Sequence, residues 1–263
     1  VPSKTSLATA DLLEGLRRRW LWSALAFQDI RLRYRGSALG PIWLTLSTGV
    51  MIAAMGTIYS RLFGQNVATY LPYLSIGLVL WQYIASTIGD GCQTFLAAES
   101  IIQQVPMPFS LYVYRTVYRN LLVLAHNAVI IPIVLLAFRS SVDWRILWVV
   151  PGIFVLIVNS VWIGVFFGML SARFRDVPPI VANFVQVVFF VTPIFWHAQT
   201  LGSLQRIVEL NPFFAAVDVV RAPLMSQDPA PHSWAVLLIV TILGSIGTFA
   251  VFAKLRARIA YWI

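Results

Sequence analysis

Six stretches of this chain contain no charged residue: 36–60, 62–89, 120–138, 146–172, 177–205 and 229–253. A bilayer core takes roughly 20 apolar residues of helix per crossing. Each stretch can hold one span, and 177–205 is long enough to hold more. Charged residues make up 11% of the chain and hydrophobic residues 59%. Soluble domains carry roughly 25% and 45–50%. These figures exclude a soluble domain, a disordered chain and a repeat solenoid. The stretches are continuously apolar rather than alternating, which excludes a membrane β-barrel. The expected fold class is an all-α integral membrane protein with six transmembrane helices. Their approximate limits are 38–60, 70–89, 117–138, 147–170, 178–196 and 233–253.

Net charge is +9. That excess fits either nucleic acid or the cytoplasmic face of a membrane, and its distribution decides. With the N-terminus in the cytoplasm and six spans threaded, 14 of the 19 Lys and Arg lie inside. Lys4, Arg17 to Arg19, Arg31, Arg33 and Arg35 are among them. Only Arg61, Arg139, Arg145, Arg206 and Arg221 lie outside. This is the positive-inside pattern, so both termini are cytoplasmic and no nucleic-acid partner is expected.

Enzyme signatures are missing. The single cysteine, Cys92, excludes an internal disulfide and a thiolate-rich metal site. The histidines stand far apart at 126, 197 and 232, and neither HExxH nor GxSxG occurs. No GxxxxGK[ST] phosphate loop occurs either, so this chain is not expected to hydrolyse a nucleotide. The first 35 residues are amphipathic and basic, unlike a cleavable signal peptide.

Residues 11–31 place Leu13, Leu16, Trp20, Ala24 and Phe27 on one helical face. Such a helix lies at the headgroup boundary. Span 1 opens with Pro41 in its first turn, where a missing N–H is harmless. One of its faces carries Thr45, Thr48 and Tyr59. That face can line a polar path, or its hydroxyls can bond to a neighbouring helix. The cytoplasmic segment 90–115 is too polar to span, and a short helix within it should end before Pro106. Gly164 and Gly168 form a GxxxG pair suited to close helix packing.

Span 5 carries Asn183, Gln186 and Phe190 on one face. Amides are costly in lipid, so this face should meet protein or a cavity. After Pro193 and Phe195-Trp196-His197, residues 198–231 suggest short amphipathic helices broken at Asn211-Pro212. They would lie at the outer surface or dip back in, where burial in protein is required. No intramembrane acidic residue and no inverted repeat is evident, so the driving energy should come from another subunit.

Four segments together carry a family resemblance: Asp29 to Trp43 (DIRLRYRGSALGPIW), Glu99 to Pro108 (ESIIQQVPMP), Ala172 to Val177 (ARFRDV), and Leu210-Asn211-Pro212-Phe213 with Asp218 and Arg221 after it. In that order they resemble the permease subunit of ABC-2 exporters of polysaccharides and polyol phosphates, over nearly the whole chain. The resemblance implies a single transmembrane domain, 1–263, in the bacterial inner membrane. It implies a homodimer with a path between the copies, and two cytoplasmic ABC ATPase subunits holding ATP and Mg²⁺. This chain itself would carry no cofactor. The implied substrate is an undecaprenyl-linked glycan, O-antigen foremost, with teichoic acid or capsule as alternatives.

The resemblance also assigns roles. Segment 97–108 would be the coupling helix, with Glu99, Ser100, Ile102, Gln103, Pro106 and Pro108 meeting the ATPase beside Arg173, Arg175 and Asp176. The family often has a basic residue where Gln103 or Gln104 stands here. Arg31, Arg33, Tyr34 and Arg35 would receive the lipid headgroup, since guanidinium grips phosphate bidentately. Thr45, Thr48, Tyr59, Asn183, Gln186 and Phe190 would line the path. Phe195, Trp196, Asn211, Phe213 and Phe214 would form the external gate. An exporter of small amphiphiles is the nearest rival. A membrane-embedded lipid-sugar transferase is more remote, because Asp90, Glu99 and Asp176 are separated and no histidine joins them.

Overall fold

The computed structural model describes residues 3–37, 39–40 and 42–263, apart from the side chains of Leu201 and Ser203. Ala38 and Pro41, where the first span was expected to open, lie outside the described residues. The described elements are all helical. In chain order they are α1 (Lys4–Arg17), α2 (Arg19–Arg33), α3 (Ile42–Leu62), α4 (Val67–Gln93), α5 (Glu99–Gln104), α6 (Phe109–Ala128), α7 (Ile130–Ala137), α8 (Val149–Arg173), α9 (Val177–Val191), α10 (Gln205–Glu209), α11 (Pro212–Leu224), α12 (Pro231–Leu255) and α13 (Ile259–Trp262).

Five helical stretches are long and apolar enough to cross a membrane: 42–62, 67–93, 109–137, 144–173 and 231–262. Span 5, the remaining expected one, is shorter. α9 has 15 residues, so it rises about 22 Å, and the chain leaves helical geometry at Thr192. Span 3 also differs, since its helix begins at Phe109 rather than near 117. Arg115 and Arg119 do not end it, because both are ion-paired on the protein (below). Pro132 breaks that span into α6 and α7: it has no N–H for the Ala128 carbonyl and its ring crowds that oxygen.

The expected helix over 11–31 is two helices, bent at Arg18 (ψ 38°). Asp11 and Asp29 both bind α6. Eighteen residues of straight helix would hold them about 27 Å apart. Their partners, Ser110 and Arg115, are only five residues apart on α6, so the chain has to bend.

α4 is the hub. Its apolar window is 78% buried, against 17% for α3 and for α12. α3, α6, α8, α9 and α11 pack around it. Close approach to α8 needs small residues: a Cβ on Gly91 would lie 3.3 Å from Gly164 Cα, and one on Gly168 would lie 3.0 Å from the Phe95 ring. The GxxxG pair is thus used inside this chain.

Within residues 198–231, the first part stays near the surface and the second does not. After a 3₁₀ turn (Ala198–Leu204) and α10, α11 runs back into the bundle with ten of its thirteen residues buried. It packs on α12, α8 and α4. Pro212 at its start needs no hydrogen-bond partner, and Asn211 caps it by accepting from Phe213 N at 2.9 Å.

Candidate functional site

The expected site residues fall into three places. The first is the end of the bundle that carries both termini. α5 has no buried residue and ends at Val105, which is extended ahead of Pro106. Glu99 and Ser100 open it, Ile102 packs inward, and Pro108 is buried at the start of α6. Ile101 and Val105 stay exposed. Glu99 lies 3.7 Å from Arg175, an exposed and therefore weak pair. Gln103 Nε2 donates to Ile263 O at 3.2 Å. Arg173 stacks over Phe174 and Trp262 at 5.3 and 5.2 Å. Asp176 is exposed at the start of α9. The structure therefore brings 99–104, 173–176 and the C-terminus together at one surface.

Beneath that surface lies a residue the sequence did not single out. Asp11 is fully buried. It accepts from Phe109 N (3.1 Å), Ser110 N (3.0 Å) and Arg256 Nε (2.7 Å), and its carbonyl accepts from Ser110 Oγ (2.7 Å). α6 starts at Pro108 with no capping side chain of its own, so Asp11 caps it from another helix. A short acidic side chain 98 residues away is not visible in local pattern; the missing cap at Pro108 is the only hint. Close by, Arg115 grips Asp29 bidentately (2.8 and 2.5 Å), while Arg119 reaches Asp29 (3.3 Å) and Asp90 (2.9 Å). These pairs fasten α2 to α6 and α4.

α1 and α2 turn Leu13, Leu16, Trp20, Ala24 and Phe27 outward, all exposed. That is the apolar stripe expected of a headgroup-level helix. Arg31, Arg33 and Arg35 are exposed, with Tyr34 half-buried beside them. None of the three lies within 4 Å of a carboxylate among the described residues.

The second place is the membrane-level face of α3 and α9. Thr48 is buried and donates to Gln82 Oε1 (3.2 Å), which also accepts from Asn127 Nδ2 (2.9 Å). Thr45 donates to the His126 carbonyl (3.0 Å). These hydroxyls join α3 to α4 and α6, which is the helix-contact alternative. Tyr59 is half-buried, 5.8 Å from Phe63 and 5.5 Å from Phe195. On α9, Val181, Val185, Val188 and Phe189 pack inward, while Asn183, Gln186 and Phe190 are exposed. Neither amide has a hydrogen-bond partner among the described residues.

The third place is the opposite end of the bundle. Residues 192–197 are non-helical, yet Thr192, Pro193 and Ile194 are buried. Irregular backbone at this depth must be satisfied by protein. Tyr70 OH donates to Phe195 O (2.6 Å), and Tyr73 OH lies 3.1 Å from Pro193 O and 2.9 Å from Trp196 O. Asn211 Nδ2 donates to Thr192 Oγ1 (3.0 Å), and Trp196 Nε1 to Phe190 O (3.2 Å). Phe195 packs on Phe189 and Phe190, Phe213 on Trp81, and Phe214 is buried. The expected gate residues do gather around this bend.

Arg221 holds the same bend. The charge count placed it in an outer loop; the structure buries it in α11, 4% exposed. Its Nη1 donates to Pro193 O at 2.9 Å, and its guanidinium lies 4.0 Å from the Tyr73 ring centre. Gly77 makes room, since a Cβ there would sit 3.0 Å from Ile194 O and 3.4 Å from Arg221 Nη1. His197 stacks on Tyr73 at 4.0 Å. Burial, and then the charge of Arg221, hold its imidazole below the ordinary value.

Five helices long and apolar enough to span, packed around the buried hub helix α4, define a polytopic all-α membrane protein. Residues 21–225 match the ABC-2 type transporter family, and the chain belongs to that family. It is similar to the O-antigen export system permease protein RfbA of Klebsiella pneumoniae, 24% identical over 240 residues, which cover 89% of this chain and 91% of that one. It is also similar to the protein of the same name from Myxococcus xanthus, 20% identical over 207 residues, covering 78% and 80%.

Proposed function

We propose that the chain is the permease subunit of an ATP-driven exporter that carries an undecaprenyl-linked polysaccharide, O-antigen foremost, across the bacterial inner membrane. Two copies enclose the path, and two ABC ATPase subunits dock at α5. The observation that carries this reading is the exposed Asn183, Gln186 and Phe190 face of α9. Bare amides at membrane depth call for water or protein against them. A second copy facing α9 supplies both a protein wall and a polar path. Phe190 and Phe195 then offer apolar contact to sugar C–H faces. The names of the relatives favour a glycan over a small amphiphile.

At the other end, α5 and the 173–176 turn receive the ATPase. Closure of the two ATPases pushes on α5, and the Asp11 clamp passes the push to α1 and to the start of α6. Arg31, Arg33 and Arg35 meet the phosphates of the lipid headgroup at the inner leaflet.

Co-expression with the genomically neighbouring ABC ATPase tests the reading. A stable complex with ATPase activity is expected, and exposed charge changes in 99–104 should weaken it. A chain that purifies without any ATPase partner contradicts the proposal.

A further inference from the structure

A cavity of about 170 Å³ lies under α11, at the end of the bundle opposite the termini. Its lining includes Tyr73, His197, Gln199, Glu209, Asp218 and Arg221. One water needs about 10–15 Å³ by the same measure, so the space is far larger than a structural water requires.

Arg221 is what makes this more than a gap in packing. It is 96% buried by the exposure already given, yet it makes a single hydrogen bond among the described residues, through Nη1. No carboxylate oxygen lies within 4 Å of it. Arg221 lines the cavity beside Tyr73, and Pro193 O is the acceptor its guanidinium holds at hydrogen-bond distance among the described residues. A buried guanidinium is normally paired and fully bonded. The acceptors on the other walls are also incompletely used. Asp218 accepts from Ala230 N and Ser233 Oγ through Oδ2 alone. Glu209 accepts from Gln205 through Oε1, and its Oε2 has only His232 Nε2 nearby, at 3.9 Å.

The charge balance selects the occupant. Two carboxylates outweigh one guanidinium, so a free phosphate or carboxylate is disfavoured. The guanidinium in turn disfavours a metal ion, and the polar walls disfavour a lipid tail. An uncharged ring bearing several hydroxyls fits all of them. It can donate to Asp218 and Glu209, accept from Arg221, and lay its C–H face on Phe214. We propose that this cavity is a sugar subsite, which takes one neutral pyranose ring of the glycan as it leaves the protein. The inference rests on the glycan-export reading and adds to it the place where the emerging polymer is held.

Arg221 and Asp218 also hold backbone, so their variants report on folding as well. Glu209 and Gln199 stand at the rim and allow a cleaner test. The full chain in lipid nanodiscs is titrated with methyl α-D-mannopyranoside, methyl β-D-galactopyranoside, N-acetyl-D-glucosamine and, separately, inorganic phosphate, with binding read by saturation-transfer NMR. At least one glycoside should saturate in the millimolar range, and phosphate should not. Glu209→Ala should weaken that glycoside about fivefold, the equivalent of one lost hydrogen bond, with thermal unfolding unchanged. No saturation by any glycoside, or wild-type affinity in both Glu209→Ala and Gln199→Ala, overturns the subsite. Sugar binding by a chain that recruits no ATPase keeps the subsite and overturns the export reading. ATPase-coupled export without sugar saturation overturns the subsite alone.

Discussion

Asp11 and Arg221 are the two buried charged residues among those described, and they sit at opposite ends of the bundle. Asp11 accepts two backbone N–H groups and an arginine, so its carboxylate is fully used. Arg221 has one carbonyl and an aromatic face, and it borders a cavity. The same kind of group, a buried charge, therefore does two different jobs. Saturated, it fastens three pieces of chain into one body. Unsaturated, it lines a cavity, which is the feature the proposed sugar subsite rests on.

The comparison can be broken by mutation. Asp11→Ala should have the largest effect. It strands the guanidinium of Arg256 and uncaps α6, so about 3 kcal/mol or more of stability should go. Protein abundance and thermal unfolding in detergent check this; an unchanged melting temperature would remove Asp11 as the clamp. Arg221→Met should cost less, about 1.5–3 kcal/mol, because one charged hydrogen bond to Pro193 O is lost and the aromatic contacts are replaced in part. If Arg221→Met destabilises more than Asp11→Ala, Arg221 is a structural staple and the contrast fails.

Thr48→Val sharpens the account at membrane depth. Gln82 keeps its bond from Asn127, so the loss should be about 0.6 kcal/mol. Export activity should stay normal if Thr48 joins helices, and should fall if it lines the path. Glu99→Ala should be the mildest for stability, within about 1 kcal/mol, since its pair with Arg175 is exposed. Its effect should appear in ATPase recruitment, measured by co-purification.

Much of the fold was legible because charge-free runs report lipid directly. Pro106 likewise marked the end of α5. What stayed hidden depended on contacts across the chain. Span 3 was expected to begin near 117, but Asp29 and Asp90 neutralise Arg115 and Arg119 and the helix extends back to Phe109. The stretch 198–231 read as short amphipathic helices broken at Asn211-Pro212, but the depth at which the second of them is buried was not legible. Its burial follows from Tyr70, Tyr73 and Arg221 satisfying the bend at 192–197, a set spread over 150 residues. The amide face of α9 was readable from spacing alone, and the structure leaves it uncovered.

That face is where the account is most directly tested. Cys92 is the only cysteine and is buried, so a Cys92→Ser background is practical. Gln186→Cys is introduced into it, and the assembled complex in membranes is treated with a membrane-impermeant maleimide and, separately, with a thiol cross-linker. A polar path between two copies predicts labelling of Cys at 186 by the water-soluble reagent and cross-linked dimers. Reaction with a lipid-soluble maleimide alone, and no dimer, would place α9 against lipid and contradict the exporter path.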